Sequence, residues 1–344
     1  MKINLVGCGG IARCHFESIN NMKSRGAVLT AVADIIPERA ERTADEFGCN
    51  AYTDYVEMLD KEHPDVLHIC TPHYLHVPMA LEALSRDINV VLEKPCAVSV
   101  ESLKEIIEAE KKSNAKLGVC FQNRYNPSVR FAKNLIDSGE YGAVTAVRAL
   151  VTWRRDADYY AADAWRGTLK EECGGVLINQ AIHTHDLMKY LSGKTTYSVD
   201  GHISNFHLKD EIEVEDTASV YFTFTDSTRG VYFATNAAGS SMSPLVDIIL
   251  EKGTIRVEGS CVSQLTSDGG VILFSSDKSD KNIVGKKEWG DSHTRLIDDF
   301  YDCVQTGRDF AINAAEAGKA VAELLAVYES SKTGNTILMN EFLK

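Results

Sequence analysis

The sequence predicts an α/β protein in two parts: a doubly wound parallel sheet, followed by an α/β domain on a large, open, mostly antiparallel sheet. Three observations predict it. The first third of the chain alternates short, wholly apolar runs with stretches of helical spacing, as strands buried on both faces do. After about residue 140 the runs instead alternate apolar with polar residues, the pattern of strands covered on one face. The chain's 344 residues, 44% hydrophobic and 25% charged, suffice for two cored domains.

Residues 3–6, 28–33, 66–70, 89–92 and 117–121 read as the buried strands, and 37–47, 77–85 and 99–112 as helices between them. Strands and helices alternating at this interval imply crossover connections and a parallel sheet. Further on, 176–191 has helical spacing. Period-2 strands follow over 197–207, 218–225, 230–234, 246–250 and 254–257, broken by turns at Asp226-Ser227 and Lys252-Gly253. Val220, Phe222 and Phe224 share one face, expected to be the open one. Helices near 294–305 and 314–331 close the chain. The expected division falls near residue 120: 1–120 as a cofactor-binding domain, 121–344 as a domain for substrate and self-association.

Composition narrows the class. A net charge of −13 without a basic block argues against nucleic acid or an anionic membrane as partner. No run of ~18 apolar residues marks a membrane span, and the short apolar N-terminal run is no signal-peptide core. A cytoplasmic location is expected. The nine cysteines are scattered, without Cys-x-x-Cys, which argues against disulfides and a structural zinc site. His73, His185, His202 and His207 show no ligand-like convergence, and no metal is expected.

Gly7-Cys8-Gly9-Gly10-Ile11-Ala12 follows the first strand and opens a helix. Glycines there let backbone approach a pyrophosphate whose charge rests on the helix N-terminus. The motif alone is weak. Its context adds an acid at the tip of the second strand: Asp34, 22 residues past Ala12. A carboxylate there accepts the ribose hydroxyls of NAD and repels a 2′-phosphate; a helix cap before Pro37 is the bland alternative. Arg39 lies close enough in sequence to admit some NADP. NAD is the expected cofactor, NADP the lesser one.

Ligands of such sheets bind at the carboxyl ends of the strands. Two strands lead there into Thr71-Pro72-His73-Tyr74-Leu75-His76 and Glu93-Lys94-Pro95. A charged pair can simply end a strand in solvent, but this is also the edge that Gly7 and Asp34 share. On a helix, Asn179, His183 and Asp186 are spaced i, i+4 and i+7, hence on one face, as an oriented acid–base histidine needs. A packed histidine is the bland reading.

Together with Gly174-Gly175, these motifs resemble the glucose–fructose oxidoreductase / inositol 2-dehydrogenase / rhizopine-catabolism (Gfo/Idh/MocA) family, over essentially the whole chain. The resemblance implies a Rossmann domain, then an open-sheet domain that often makes the oligomer interface, a homodimer or homotetramer. It implies hydride transfer between NAD(P) and a carbinol carbon of a sugar or cyclitol. Lys94 would be the active-site lysine, Glu93 a nicotinamide-ribose contact, and Thr71, Pro72 and His76 cofactor-lining. His183 would exchange the proton. Asn179 departs from the aspartate common in the inositol dehydrogenases: an amide orients or binds but takes no proton.

Arg124 and Tyr125, in Gln122-Asn123-Arg124-Tyr125, fit the substrate side or a hydrogen-bonded domain junction equally well. Trp165 belongs to the aromatic–arginine stretches Trp153-Arg154-Arg155 and Tyr159-Tyr160…Trp165-Arg166-Gly167, which suit sugar stacking or plain loop packing. The leading expectation is an NAD-dependent oxidoreductase acting on a secondary hydroxyl or ketone of a sugar, sugar derivative or cyclitol. Its rivals are a glycosidase using transient oxidation without net NAD turnover, and a non-catalytic NAD-binding partner.

Overall fold

The computed structural model describes residues 1–275 and 292–344. They form two compact units. The first holds Met1–Gln122 and the chain from 292 to Gly318; the second holds Asn123 through 275 and Lys319–Lys344.

In the first unit the strands β1 (Lys2–Val6), β2 (Val28–Ala33), β3 (Asn50–Tyr52), β4 (Val66–Ile69), β5 (Asn89–Leu92) and β6 (Leu117–Val119) alternate with helices. These are α1 (Ala12–Asn21), α2 (Pro37–Phe47), α3 (Tyr55–Glu62), α4 (His76–Ser85) and α5 (Val100–Lys112). The sheet runs β3-β2-β1-β4-β5-β6, all parallel. Strand order reverses between β1 and β4, the switch point where such sheets open a crevice at their carboxyl ends. Local chemistry sets the helix ends: Ser99 and Ser102 form a capping box on α5, and Pro37 opens α2, which Gly48 closes in the left-handed region. The short β3 and α3 went unread in the sequence.

The second unit contains α6 (Pro127–Asp137), β7 (Val144–Thr152), α7 (Ala157–Ala161), a π-helical turn at Val176–Gln180, and α8 (Ile182–Ser192). The strands β8 (Thr196–Ser204), β9 (Thr217–Phe224), β10 (Arg229–Thr235), β11 (Leu245–Leu250), β12 (Gly253–Glu258), β13 (Cys261–Thr266) and β14 (Gly269–Ser275) follow. The chain ends with α9 (His293–Thr306), α10 (Ala314–Thr333), β15 (Ile337–Leu338) and α11 (Met339–Phe342). The nine-stranded sheet runs β14-β13-β12-β11-β7-β10-β9-β8-β15, antiparallel except where β7 meets β10. The helix expected over 176–191 is thus a π turn followed by α8.

The expected open face is corrected. Val220, Phe222 and Phe224 are 5%, 0% and 2% exposed, and the side chains facing solvent are Tyr221, Val231 and Phe233 at 45%, 44% and 37%. Alternation was read correctly but its phase was inverted. The 176–192 segment covers the Phe222 side: the His185 ring stacks on Phe222 with centroids 5.3 Å apart, and the Tyr232 hydroxyl donates to the Ala181 carbonyl at 2.6 Å.

Beyond residue 291, α9 belongs with the first unit rather than with the 121–344 portion. It lies against α1, where Ser18 and Thr294 share a hydrogen bond of 2.9 Å. A Cβ on Gly118 of β6 would come within 2.6 Å of the Phe300 ring, so β6 has no side chain where α9 seats. Among the described residues, no helix is long and apolar enough to cross a membrane.

Candidate active site

The cofactor half begins where β1 ends. Gly7 has φ +91°, and a Cβ there would sit 2.7 Å from the Cys70 carbonyl oxygen, so only glycine passes this close to the end of β4. At Gly9 and Gly10 nothing lies within 4 Å of a Cβ position, which leaves the loop's outer side open to a ligand. Ile11 precedes Ala12, the start of α1, whose first turn has no side-chain cap and no acid; its N–H groups suit a phosphate.

Asp34 stands at the tip of β2. Its Oδ2 accepts from the Cys8 N–H at 2.8 Å and its Oδ1 from the Ile36 N–H at 2.9 Å. The carboxylate is therefore pinned to the glycine loop, while Ile36 is the N-cap of α2. Arg39 sits in the first turn of that helix, half-buried. These features together fit a dinucleotide: an open glycine loop, an uncapped helix start and a fixed carboxylate.

After β4 and β5 the chain makes the two loops that the sequence singled out. His76 is buried between them, with Nδ1 2.8 Å from the Pro95 carbonyl oxygen and Nε2 2.8 Å from that of Thr71. It ties the Thr71-Pro72 loop to the Lys94-Pro95 loop, whose joining peptide is cis.

Glu93 is buried, with Oε1 3.0 Å from His15 Nε2 and 3.4 Å from His293 Nε2. Its Oε2 accepts from the Lys94 backbone N–H at 3.3 Å. Burial alone would raise this carboxyl, but the hydrogen bonds from His15 and His293 outweigh it and hold it well below the usual range. An ionised Glu93 only accepts, and that fixes a whole chain of donors. His15 must give its Nε2 proton to Glu93. Its Nδ1 then accepts from His68 Nδ1 at 2.8 Å, and His68 Nε2 accepts from the Tyr301 hydroxyl, also at 2.8 Å. Burial lowers the pKa of both His15 and His68, in keeping with neutral rings.

His15, Glu93 and Cys120 bring ligand-type atoms within 4.8 Å of one another. Burial and Glu93 push the Cys120 thiol well above its ordinary range, and the thiol is hydrogen-bonded to Glu93. The trio closes on itself through its own protons. Sequence reading missed His15, His68, His293 and Tyr301; the available signal was histidines inside otherwise apolar runs.

In the second unit, Gly174-Gly175 allows a tight backbone contact. A Cβ on Gly175 would lie 2.0 Å from the Glu215 carbonyl oxygen. The Glu215 carboxylate, its pKa raised by burial, accepts from the Gly175 and Leu177 N–H groups at 2.8 and 3.0 Å and from the Tyr328 hydroxyl at 2.9 Å. That anchors the π turn, a feature frequent at functional sites. Asn179 at its end donates Nδ2 to the buried Glu172. Gln180 Nε2 donates to the Tyr159 hydroxyl at 3.2 Å, and Asn236 Nδ2 lies 3.2 Å from Gln180 Oε1 and 3.0 Å from the Tyr160 hydroxyl.

His183 lies in the first turn of α8, half-buried. The π turn takes Asn179 off the regular α-helical spacing, while His183 and Asp186 keep theirs, three apart on α8. Asp186 instead takes Arg124: Nε and Nη2 reach its two oxygens at 2.8 and 2.6 Å, and Tyr190 lies 4.9 Å under the guanidinium. Both partners are buried, and the pair holds the Arg124 guanidinium in a bidentate fork on Asp186. Tyr125 is buried beneath the Arg130 guanidinium, 4.6 Å from its ring. Trp165 lies 5.8 Å from the Arg166 guanidinium, while Tyr159 sits between Arg155 and Arg166 at 5.0 and 4.6 Å.

A doubly wound sheet with an open glycine loop and a fixed acid defines an NAD-binding oxidoreductase. Residues 1–121 match the oxidoreductase family described by its NAD-binding Rossmann fold, and residues 129–256 match the GFO/IDH/MocA C-terminal domain. The chain belongs to the Gfo/Idh/MocA family and is an NAD-dependent oxidoreductase. It is 28% identical to an inositol 2-dehydrogenase of Rubrobacter xylanophilus over 80% of this chain and 78% of that one. It is 25% identical to a scyllo-inositol 2-dehydrogenase (NAD(+)) of Bacillus subtilis, over 96% and 95% of the two chains. Among solved structures it resembles the WlbA dehydrogenase of Bordetella pertussis in complex with NADH and UDP-GlcNAcA. The TM-score is 0.85 at 28% identity, over 98% of both chains.

Proposed function

We propose that the protein transfers hydride between NAD and a secondary hydroxyl or ketone of a sugar, sugar derivative or cyclitol, with Lys94 and His183 as its catalytic residues. The observation that carries the proposal is Lys94, set directly after the buried, ionised Glu93 on the carboxyl edge that holds the glycine loop. Bound NAD supplies the hydride chemistry. The Lys94 ammonium stabilises negative charge developing on the reacting oxygen. His183 exchanges the hydroxyl proton. Asn179 binds a substrate hydroxyl, and Trp165 gives a ring for a sugar face to pack on. The inositol dehydrogenases among the relatives support a cyclitol, and the WlbA complex a sugar nucleotide.

We also assign the open face of the nine-stranded sheet to a homo-oligomeric contact, because Tyr221, Val231 and Phe233 lie exposed on neighbouring strands. The nine free thiols suit a reducing, cytoplasmic setting.

The test is a spectrophotometric screen of cyclitols, sugars, sugar acids and sugar nucleotides with NAD and with NADP. NADH should accumulate with at least one class. NAD should bind about tenfold more tightly than NADP, because Asp34 repels a 2′-phosphate. Equal affinities would remove the role given to Asp34. Aglycone release from a glycoside without steady NADH formation would favour the glycosidase instead.

A further inference from the structure

Asn179 stands near the end of the π turn, and its surroundings say which way its amide faces. Glu172 is fully buried and accepts from the Gly167 backbone N–H on one oxygen and from Asn179 Nδ2 on the other. A carboxylate offers no proton, so only the amide nitrogen can face it. The amide oxygen is thereby turned away from Glu172. Gly175 and the Glu215 anchor fix the backbone of the same turn, so Asn179 cannot compensate by shifting.

We propose that Glu172 is a positioning residue: it locks the Asn179 amide with Nδ2 on the Glu172 carboxylate and Oδ1 turned away from it, so that Asn179 offers its carbonyl oxygen as the acceptor toward imidazole or substrate. The inference rests on the reading of His183 and Asn179 as parts of the reaction site. The negative charge that an aspartate at 179 would carry is held one hydrogen bond further back, on Glu172. An acceptor at 179 still orients a donor, as an aspartate oxygen would, without placing a full charge beside it.

Exchanging the charge between the two positions tests this. In Glu172→Gln the new amide keeps its oxygen on the Gly167 N–H and turns its NH2 toward Asn179, which must flip and present a donor outward. Turnover should fall about ten- to a hundredfold, the scale of one misdirected charge-assisted hydrogen bond, with NAD affinity unchanged. Asn179→Asp sets two carboxylates against each other. Its melting temperature should drop by about 5 °C or more at pH 8, and by less at pH 5, where one takes a proton. The double variant, Glu172→Gln with Asn179→Asp, restores a donor facing an acceptor. It should recover most of that loss and exceed both single variants in turnover.

Additive melting shifts in the double variant would overturn the pairing. Wild-type turnover and pH profile in Glu172→Gln would overturn the positioning role even if the pairing held. If the wild type turns over no carbinol substrate, the proposed reaction fails, while the melting cycle still decides the orientation of Asn179.

Discussion

At the scale of single residues, Lys94 and the glycine loop should fail in different ways. The value of an ammonium lies in the charge it meets in the transition state, so Lys94→Ala should lower kcat by about 10²–10³ and leave the NAD dissociation constant nearly unchanged. A bulky side chain at Gly9 should do the reverse, filling space that is open beside the loop. Near-full turnover of Lys94→Ala on the best substrate would return the Glu93-Lys94 pair to the status of a solvated strand end. Asp34 was legible because its partners, Cys8 and Ile36, lie in motifs of fixed spacing. Arg124 was not: its partner Asp186 stands 62 positions away, and no local pattern announces a fork that long-range packing creates.

Elements carry the next signal. The helix α1, the strand β4, the loop that follows β5 and the helix α9 each lend a side chain to the hydrogen-bonded run Tyr301–His68–His15–Glu93. Below about pH 6.5 an unfolded histidine binds a proton that His15 and His68, with their lowered pKa values, resist in the folded state. The unfolded chain then holds more protons, so stability falls as pH drops through the range where the unfolded histidines titrate. Glu93 has the opposite charge but the same consequence. Its depressed pKa lends stability above about pH 4.3, which is lost as pH falls further toward its folded value. Calorimetry should show the melting temperature declining between pH 8 and pH 5, and a flat profile would contradict neutral buried rings. Buried strands could be located from their apolar runs, whereas the phase of β9 could not. Both its faces carry rings, and the covering segment decides which set goes inside.

For the whole molecule, the exposed Tyr221 and Val231 sit opposite each other across β9 and β10. Light scattering at micromolar concentration should give a mass above the monomer, and charged substitution of both, Tyr221→Lys with Val231→Lys, should lower it. A monomeric wild type would sink the proposed contact. The overall plan, parallel sheet first and open sheet second, was legible from the change in periodicity alone. The return of α9 was not, since nothing in residues 293–306 distinguishes a helix for one sheet from a helix for the other.

That return sets an order on synthesis. The ribosome finishes β4 and β5 long before it makes His293 and Tyr301, the residues that complete the bonds of His68 and Glu93. Until about 300 residues have emerged, the nascent first unit has a histidine without its hydroxyl donor and a carboxylate without its second imidazole. A gene cut after Gln122 would stop at that stage for good. The boundary drawn most naturally along the chain is therefore the wrong place to divide it for expression, and a usable first unit must carry α9 with it.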